Sequence, residues 1–129
     1  MMEGKGGMTM ECNAMRKKAT LILTISGEID HHTSKIIRER TDRMLAQIGG
    51  KNIIFQLRDV DFRDSSGIGM MIGRYKRAES LGGRVAVLQA SETIQELIRL
   101  SGLSSILRSF ANMEDAREYV EGRDLDAEG

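Results

Sequence analysis

Two short apolar runs constrain the fold of this chain more than any other feature of its sequence. Asn52 to Leu57 and Arg84 to Leu88 contain consecutive apolar residues rather than the alternation of a half-exposed strand. Such runs are typical of strands that are buried on both faces, as in a parallel sheet with helices packed against it. We therefore predict two inner strands at these positions.

Two strands and a helix are predicted ahead of the first run. Apolar or small residues alternate from Met8 to Ala14 and from Leu21 to Ile25, and this period of two predicts two paired edge strands. A helical period follows, with Thr33 or Ser34 as the candidate cap and Gly49 at its end. This first helix is expected to cover one face of the sheet.

Three further helices and a last strand complete the predicted order. The helices are an amphipathic segment from Ile68 to Ala78, a segment capped by Ser91, and a segment capped by Asn112 that ends at Val120. Ser105 to Phe110 is apolar enough for a short strand. The order predicts an α/β fold, with a single mixed sheet of four to five strands, four α-helices and right-handed crossovers.

Length and charge limit the classes of function. With 129 residues the chain is one domain long, and we predict a folded domain over 8–121 between a disordered extension at 1–7 and a flexible tail at 122–129. The formal net charge of zero disfavours direct binding to nucleic acid or to a membrane. A single cysteine, the lack of a long apolar run and the lack of a signal-peptide pattern predict a cytoplasmic protein.

The segment from Asp64 to Gly69, with the sequence DSSGIG, carries the strongest functional signal. It lies between a strand-like and a helix-like run, so the hydroxyls of Ser65 and Ser66 and several backbone N–H groups converge at a helix start. A helix N-terminus favours negative charge, and glycines let a phosphate approach the backbone closely. The segment therefore predicts a phosphate acceptor. The alternative is a structural helix start, with Ser66 as the better candidate for capping the helix or for holding the loop.

A second feature of this segment is a row of small residues. Ser66, Gly69 and Gly73 are three to four residues apart, which predicts a nearly side-chain-free stripe along the second helix. Either a neighbouring element of the chain or a docked partner is expected to pack there, and the sequence leaves both open.

Two adjacent histidines, His31 and His32, indicate other types of site. Adjacent histidines point apart and the lone cysteine offers no metal pattern, so we predict neither a metal nor a cofactor. A phosphocarrier imidazole at His31 or His32 stays as an alternative function. A serine hydrolase built on Ser65 is disfavoured, because no glycine stands two residues before that serine.

Several motifs together resemble one family. The runs GEIDHHT at 27–33, DSSGIG at 64–69, GRYK at 73–76 and SGL at 101–103 are similar to those of the STAS domains of anti-sigma factor antagonists. Within the family the combination most resembles the sporulation group that opposes the anti-sigma F factor. The resemblance extends from Met8 to Val120 and therefore covers nearly the whole chain.

The resemblance implies a partner-switching regulator rather than an enzyme. In the family the unmodified antagonist binds an anti-sigma factor, which is also an ATP-dependent serine kinase, and thereby frees the sigma factor. The kinase phosphorylates the first serine of the DSSG motif, here Ser65, and a dedicated serine phosphatase reverses this. A general-stress antagonist is the alternative within the family. The implied partner-binding residues are Glu28, Asp30, His31, Asp64, Ser66, Gly67, Ile68 and Gly69.

Overall fold

A central sheet and four helices make up the described part of the chain. The computed structural model describes the backbone of residues 10–128 and the side chains of residues 10–122. The strands are β1 Met10–Lys17, β2 Thr20–Ile29, β3 Asn52–Phe62, β4 Val85–Leu88 and β5 Arg108–Phe110. The helices are α1 His31–Ile48, α2 Ser66–Ser80, α3 Glu92–Leu100 and α4 Met113–Glu128.

The five strands form one mixed sheet in the order β1-β2-β3-β4-β5. β1 pairs antiparallel with β2, and every later neighbour pair is parallel. Parallel neighbours need a crossover between them, and α1, α2 and α3 provide it. The predicted α/β class, the mixed sheet and the four helices are confirmed.

The sheet is covered on both faces, and this explains the unbroken apolar run in β3. Successive residues of a strand point to opposite faces. Ile53 and Phe55 belong to the larger core, to which α1, α2 and α3 contribute, whereas Ile54 belongs to a smaller core with α4. All three side chains are fully buried. Three helices therefore lie on one face of the sheet and α4 lies on the other.

The prediction of β2 as an edge strand is wrong. β2 pairs with β1 on one side and with β3 on the other, so it is an inner strand. The alternation of Leu21, Leu23 and Ile25 led to the edge assignment, but Ile22 between them is also buried and packs in the α4-side core. Burial of consecutive residues is the mark of an inner strand here as well.

β3 is longer than its apolar run and continues to Phe62 instead of stopping at Leu57. After a register shift between Thr24 and Ser26 of β2, the end of β2 stays paired with residues 59–62 of β3. Exposed Arg58 and Asp59 interrupt the apolar pattern, and the sequence therefore did not predict this extension of the strand. The extension carries the chain directly to the DSSG motif.

Other predicted boundaries hold in part. Ser91 caps α3 by accepting the N–H of Ile94 at 3.2 Å, and Asn112 accepts the N–H of Asp115 at 2.9 Å, both as predicted. β5 is shorter than the predicted 105–110. Helix α4 runs past Val120 to residue 128, through most of the predicted tail at 122–129. The predicted extension at 1–7 lies outside the described residues.

An ion pair between a buried arginine and a half-exposed aspartate links α1 to α2. Nε of Arg74 on α2 lies 3.1 Å from Oδ1 of Asp42 on α1, and the Arg74 side chain is only 8% exposed. Burial lowers the pKa of Arg74, and the Asp42 charge opposes that shift. The contact is an ion pair rather than an aligned hydrogen bond, since Nε and Nη1 have no hydrogen-bond partner among the described residues. The pair is a direct contact between the two helices that border the DSSG motif.

No helix within the described residues is both long enough and apolar enough to cross a membrane.

Candidate functional site

The candidate site lies beyond the carboxyl ends of two neighbouring parallel strands. β2 leads through Asp30 into α1, and β3 leads through residues 63–65 into α2. Because β2 and β3 remain paired up to Ile29 and Phe62, the two helices begin side by side. The positive ends of two helices therefore meet at one place, and this arrangement favours negative charge there.

Asp30, rather than Thr33 or Ser34, is the N-cap of α1. Its Oδ1 accepts the Thr33 N–H at 2.9 Å, and the Thr33 hydroxyl accepts the Asp30 N–H at 2.9 Å. This capping box lowers the pKa of Asp30, chiefly through the bond from the Thr33 backbone. The predicted caps are wrong, because Thr33 occupies the third helical position and the Ser34 hydroxyl donates to the carbonyl of His31.

Asp64 links the starts of both helices. Its Oδ2 accepts the backbone N–H of His31 at 3.1 Å, and its Oδ1 accepts the N–H of Ser66 at 2.8 Å. The Ser66 hydroxyl also donates to Oδ1. These bonds lower the pKa of Asp64, with the bond from the Ser66 side chain as the largest cause. One carboxylate therefore satisfies free donors at two helix N-termini.

Ser65 stands at the N-cap position of α2 but does not cap with its side chain. The residue is exposed, and its carbonyl accepts the N–H groups of Ile68 at 3.1 Å and Gly69 at 3.3 Å. Ser66 was predicted to cap the helix or to hold the loop, and the structure shows the second role: its hydroxyl and N–H bond to Asp64, whose carboxylate takes the capping role. The Ser65 hydroxyl is left on the surface, where another molecule can reach it.

Gly67 is required by close packing beneath the site. A Cβ at this position would lie 2.7 Å from Cε1 of Phe62, a distance too short for any side chain. Gly67 is buried and Ile68 is only 7% exposed, within the larger core. Both residues therefore hold the start of α2 from below, and neither offers a side chain to a partner in this conformation.

The stripe of small residues lies open on the surface. Apart from the adjacent residues and the nearby backbone of α2 itself, no described atom lies within 4 Å of a Cβ built at Gly69 or at Gly73, so no other element fills this space. A groove of about 280 Å³ borders the stripe, and it is lined by His31, Ser34, Lys35, Arg38, Ser66, Gly69 and Met70. Of the two readings of the stripe, the open space favours partner docking.

The basic residues near the site were not predicted from the sequence. Arg63 Nη1 lies 2.8 Å from Oε2 of Glu28, so this predicted partner-binding carboxylate already carries an exposed ion pair. Lys35 and Arg38 line the groove from α1. Their spacing of four and seven residues from His31 places all three on one helical face, and this periodicity was the available signal. Nothing in the sequence pairs Arg63 with Glu28.

The two histidines do not assemble a reaction centre with Ser65. His31 meets Asp64 through its backbone N–H, and among the described residues no hydrogen bond joins either imidazole to the Ser65 hydroxyl. His31 and His32 are both exposed. Within the same described range no group of three His, Cys, Asp or Glu side chains is arranged to hold a metal ion.

Known proteins resemble this chain both in sequence and in structure. The family model described as the STAS domain matches residues 11–116. The anti-sigma F factor antagonist of Paenibacillus polymyxa is 32% identical over 114 residues, which cover 88% of this chain and 97% of the relative. The anti-sigma-B factor antagonist of Bacillus subtilis is 27% identical over 107 residues, covering 83% of this chain and 96% of the relative.

Two solved structures of one antagonist also match. The anti-sigma factor antagonist SpoIIAA in its unphosphorylated form superposes with a TM-score of 0.74 at 29% identity, covering 87% of this chain and 97% of that one. The phosphorylated form from Bacillus gives a TM-score of 0.67 at 29% identity, covering 84% and 98%. The resemblance predicted from the GEIDHHT, DSSGIG and GRYK motifs is confirmed.

We expect opposite stability effects from alanine at the two neighbouring glycines of α2. Gly67→Ala forces Phe62 to move and should lower the free energy of unfolding by about 1 to 3 kcal/mol. Gly69→Ala adds a methyl group in open space on a helix and should raise it by about 0.5 to 1 kcal/mol. Urea denaturation followed by circular dichroism measures both. Equal stability of the two variants would refute the packing role of Gly67.

The Asp64 carboxylate should make stability depend on pH. Its pKa is lowered from an ordinary value of 3.8, so the folded state favours the ionised form. The stabilisation is present above the unfolded pKa and is lost as pH falls through the lower folded pKa. We expect the stability gap between the wild type and Asp64→Asn to be widest above about pH 5 and to close in stronger acid. Thermal unfolding of both proteins across this range tests it, and a constant gap would contradict it.

Proposed function

The chain belongs to the STAS-domain family, and on that premise we propose that it is an anti-sigma factor antagonist whose partner binding is switched by phosphorylation of Ser65. The observation that carries the proposal is the position of this serine. Its hydroxyl is exposed, is not used for capping, and stands where two helix N-termini converge. A kinase needs such an accessible alcohol. The backbone N–H groups and positive dipole ends of the two helices favour a negatively charged phosphate at this position.

Charge alone is enough to operate the switch. Phosphorylation adds about 1.5 to 2 negative charges near neutral pH. Two unit charges 4 Å apart repel by about 1 kcal/mol in water and by about 4 kcal/mol at an effective dielectric constant of 20. A hundredfold loss of affinity requires about 2.7 kcal/mol. A phosphate that faces an acidic or closely packed partner surface therefore supplies enough energy to dissociate the complex.

The fold of the antagonist should survive the modification. The helix N-terminus offsets part of the added negative charge, typically by about 0.3 to 1 kcal/mol. SpoIIAA, a relative, matches this chain in both its unphosphorylated and its phosphorylated form. We infer that the modification changes the surface offered to the partner rather than the architecture beneath it.

The proposed partners follow the family pattern. The unmodified chain would bind an anti-sigma factor with serine kinase activity, free the sigma factor, and be restored by a serine phosphatase, all in the cytoplasm. We propose sigma F as the controlled factor, because the anti-sigma F antagonist of Paenibacillus polymyxa has a higher identity than the anti-sigma-B antagonist of Bacillus subtilis. The general-stress factor is the alternative.

The proposed docking surface is the rim around Ser65. Its members are Glu28 near the end of β2, Asp30 and His31 at the start of α1, and Asp64 between β3 and α2. Ser66 and Gly69 border the open groove of α2, with Gly67 and Ile68 supporting them from below. A partner that approaches Ser65 closely enough to phosphorylate it would cover this rim.

Substitutions at Ser65 test the switch. Ser65→Ala removes the acceptor with little change of shape, so it should bind the anti-sigma factor like the wild type and remain unlabelled by kinase and ATP. Ser65→Asp should lower the affinity at least tenfold while changing the free energy of unfolding by less than about 1 kcal/mol. Isothermal titration calorimetry and mass mapping of the labelled site provide the measurements.

A matched control uses the exposed capping serine of the neighbouring helix. Ser91→Asp introduces the same charge at the start of α3 and should leave partner affinity unchanged. Loss of affinity in both aspartate variants would point to net charge rather than to the Ser65 position. Acid-labile label on His31 or His32 would instead support the phosphocarrier alternative, since phosphohistidine is labile in acid and phosphoserine is stable.

A second test addresses docking on the glycine stripe. Gly69→Ala places a methyl group on the exposed face of α2, and a close partner contact there should weaken by about tenfold. Gly122→Ala is the control: it adds the same group in open space on α4, which packs on the opposite face of the sheet. Calorimetric titration of both variants tests the docking surface. Undiminished affinity of Gly69→Ala would remove the stripe from it.

A further inference from the structure

A second cavity opens at the edge of the sheet opposite to Ser65. It has a volume of about 200 Å³ and lies at the amino ends of β4 and β5. Its polar and aromatic lining residues are Tyr75, Arg84, Ser105, Arg108 and Tyr119. Two arginines and two tyrosines thus meet in a small space that the phosphorylation switch does not use.

Aromatic contacts hold both arginines in place. The Cζ atoms of Arg84 and Arg108 lie 4.7 Å and 4.8 Å from the centroid of the Tyr119 ring. Nη1 of Arg84 donates to the Tyr119 carbonyl at 3.1 Å. Phe110 supports the ring, with a centroid separation of 5.3 Å. Cation–π contacts of this kind orient a guanidinium without neutralising its charge.

The positive charge of this pair has no carboxylate partner among the side chains of residues 10–122. The ion pairs in that range involve other arginines, namely Arg58, Arg63, Arg74, Arg99 and Arg117. Two guanidiniums that share one aromatic ring repel each other, and an anion between them would relieve the repulsion. Each guanidinium presents five N–H donors, of which Arg84 commits Nη1 to a backbone carbonyl.

We propose that this cavity binds the phosphate group of a small phosphomonoester. The planar guanidinium fork matches the oxygens of a phosphate, and two such forks match a dianion better than a single carboxylate. The cavity is smaller than the roughly 300 to 1,000 Å³ typical of sites for drug-sized ligands, so the organic part must be small or must project outward. The tyrosine rings offer a surface on which such a part can stack.

The proposed site is independent of the phosphorylation switch. Val85 at the start of β4 pairs with Ile53 of β3, and Phe62 lies nine residue steps further along β3. At about 3.3 Å per residue, the two sites lie roughly 30 Å apart, well beyond the range of screened charge interactions. Binding here therefore neither requires nor excludes a phosphate on Ser65.

Tyrosine fluorescence reports directly on this cavity. The chain contains two tyrosines and no tryptophan, and both tyrosines line the site. Inorganic phosphate and adenosine 5′-monophosphate are titrated separately into the full chain at constant ionic strength, with adenosine as the reference without phosphate. We expect a saturable change with at least one of the two phosphates and none with adenosine. Tighter binding of the nucleotide would show stacking of its organic part, and equal binding would show recognition of phosphate alone.

Two variants and a control separate the site from general charge effects. Arg108→Gln removes an exposed cation at low risk to folding, and Arg84→Gln removes the half-buried one; each should weaken binding at least tenfold. Arg58→Gln removes an exposed arginine elsewhere on the sheet and should leave binding unchanged. A linear response without saturation, a response to adenosine, or equal losses in all three variants would overturn the proposal.

Discussion

The parallel pairing of β2 with β3 is the constraint on which the candidate site depends. It brings the ends of the two strands level at Ile29 and Phe62, and each strand then turns into a helix on the same face of the sheet. Two positive helix ends therefore lie together, a costly arrangement without nearby negative charge. Asp30 and Asp64 provide that charge at the helix starts. The loop geometry around Ser65 follows from this electrostatic balance.

The same balance is compatible with the proposed switch, in which the fold would tolerate a phosphate on Ser65 and a partner would reject it. Asp64 is occupied by N–H groups from α1 and α2, so its charge is already neutralised in part. Gly67 packs against Phe62, and the Arg74–Asp42 pair links α1 to α2. The residues below the serine are thus closely packed, while the Ser65 hydroxyl makes no capping hydrogen bond. The proposed switch would therefore act on the surface, because the closely packed interior has little freedom to respond.

Much of the fold was predictable, because inner strands and amphipathic helices leave clear patterns of apolar residues. The failures arose where tertiary contacts overrode local signals. Arg58 and Asp59 concealed the continuation of β3, which depends on pairing with β2 rather than on its own composition. Asp30 was missed as a cap because its box is closed by Thr33 instead of the usual glutamate or glutamine. The contact between Arg84 and Tyr119 joins residues that are 35 positions apart, and no periodic pattern in the sequence predicts such a contact.

The unequal covering of the sheet separates two kinds of heritable change. Helix α4 alone packs on one face, through a small core that contains Ala116 and Val120, while the face that carries Ser65 is shared by three helices. Substitutions of Ala116 and Val120 should mainly alter thermal stability, whereas substitutions on the exposed surfaces of α1 and α2 should mainly alter partner binding. Evolution can therefore change the stability of this domain and its choice of binding partner almost independently.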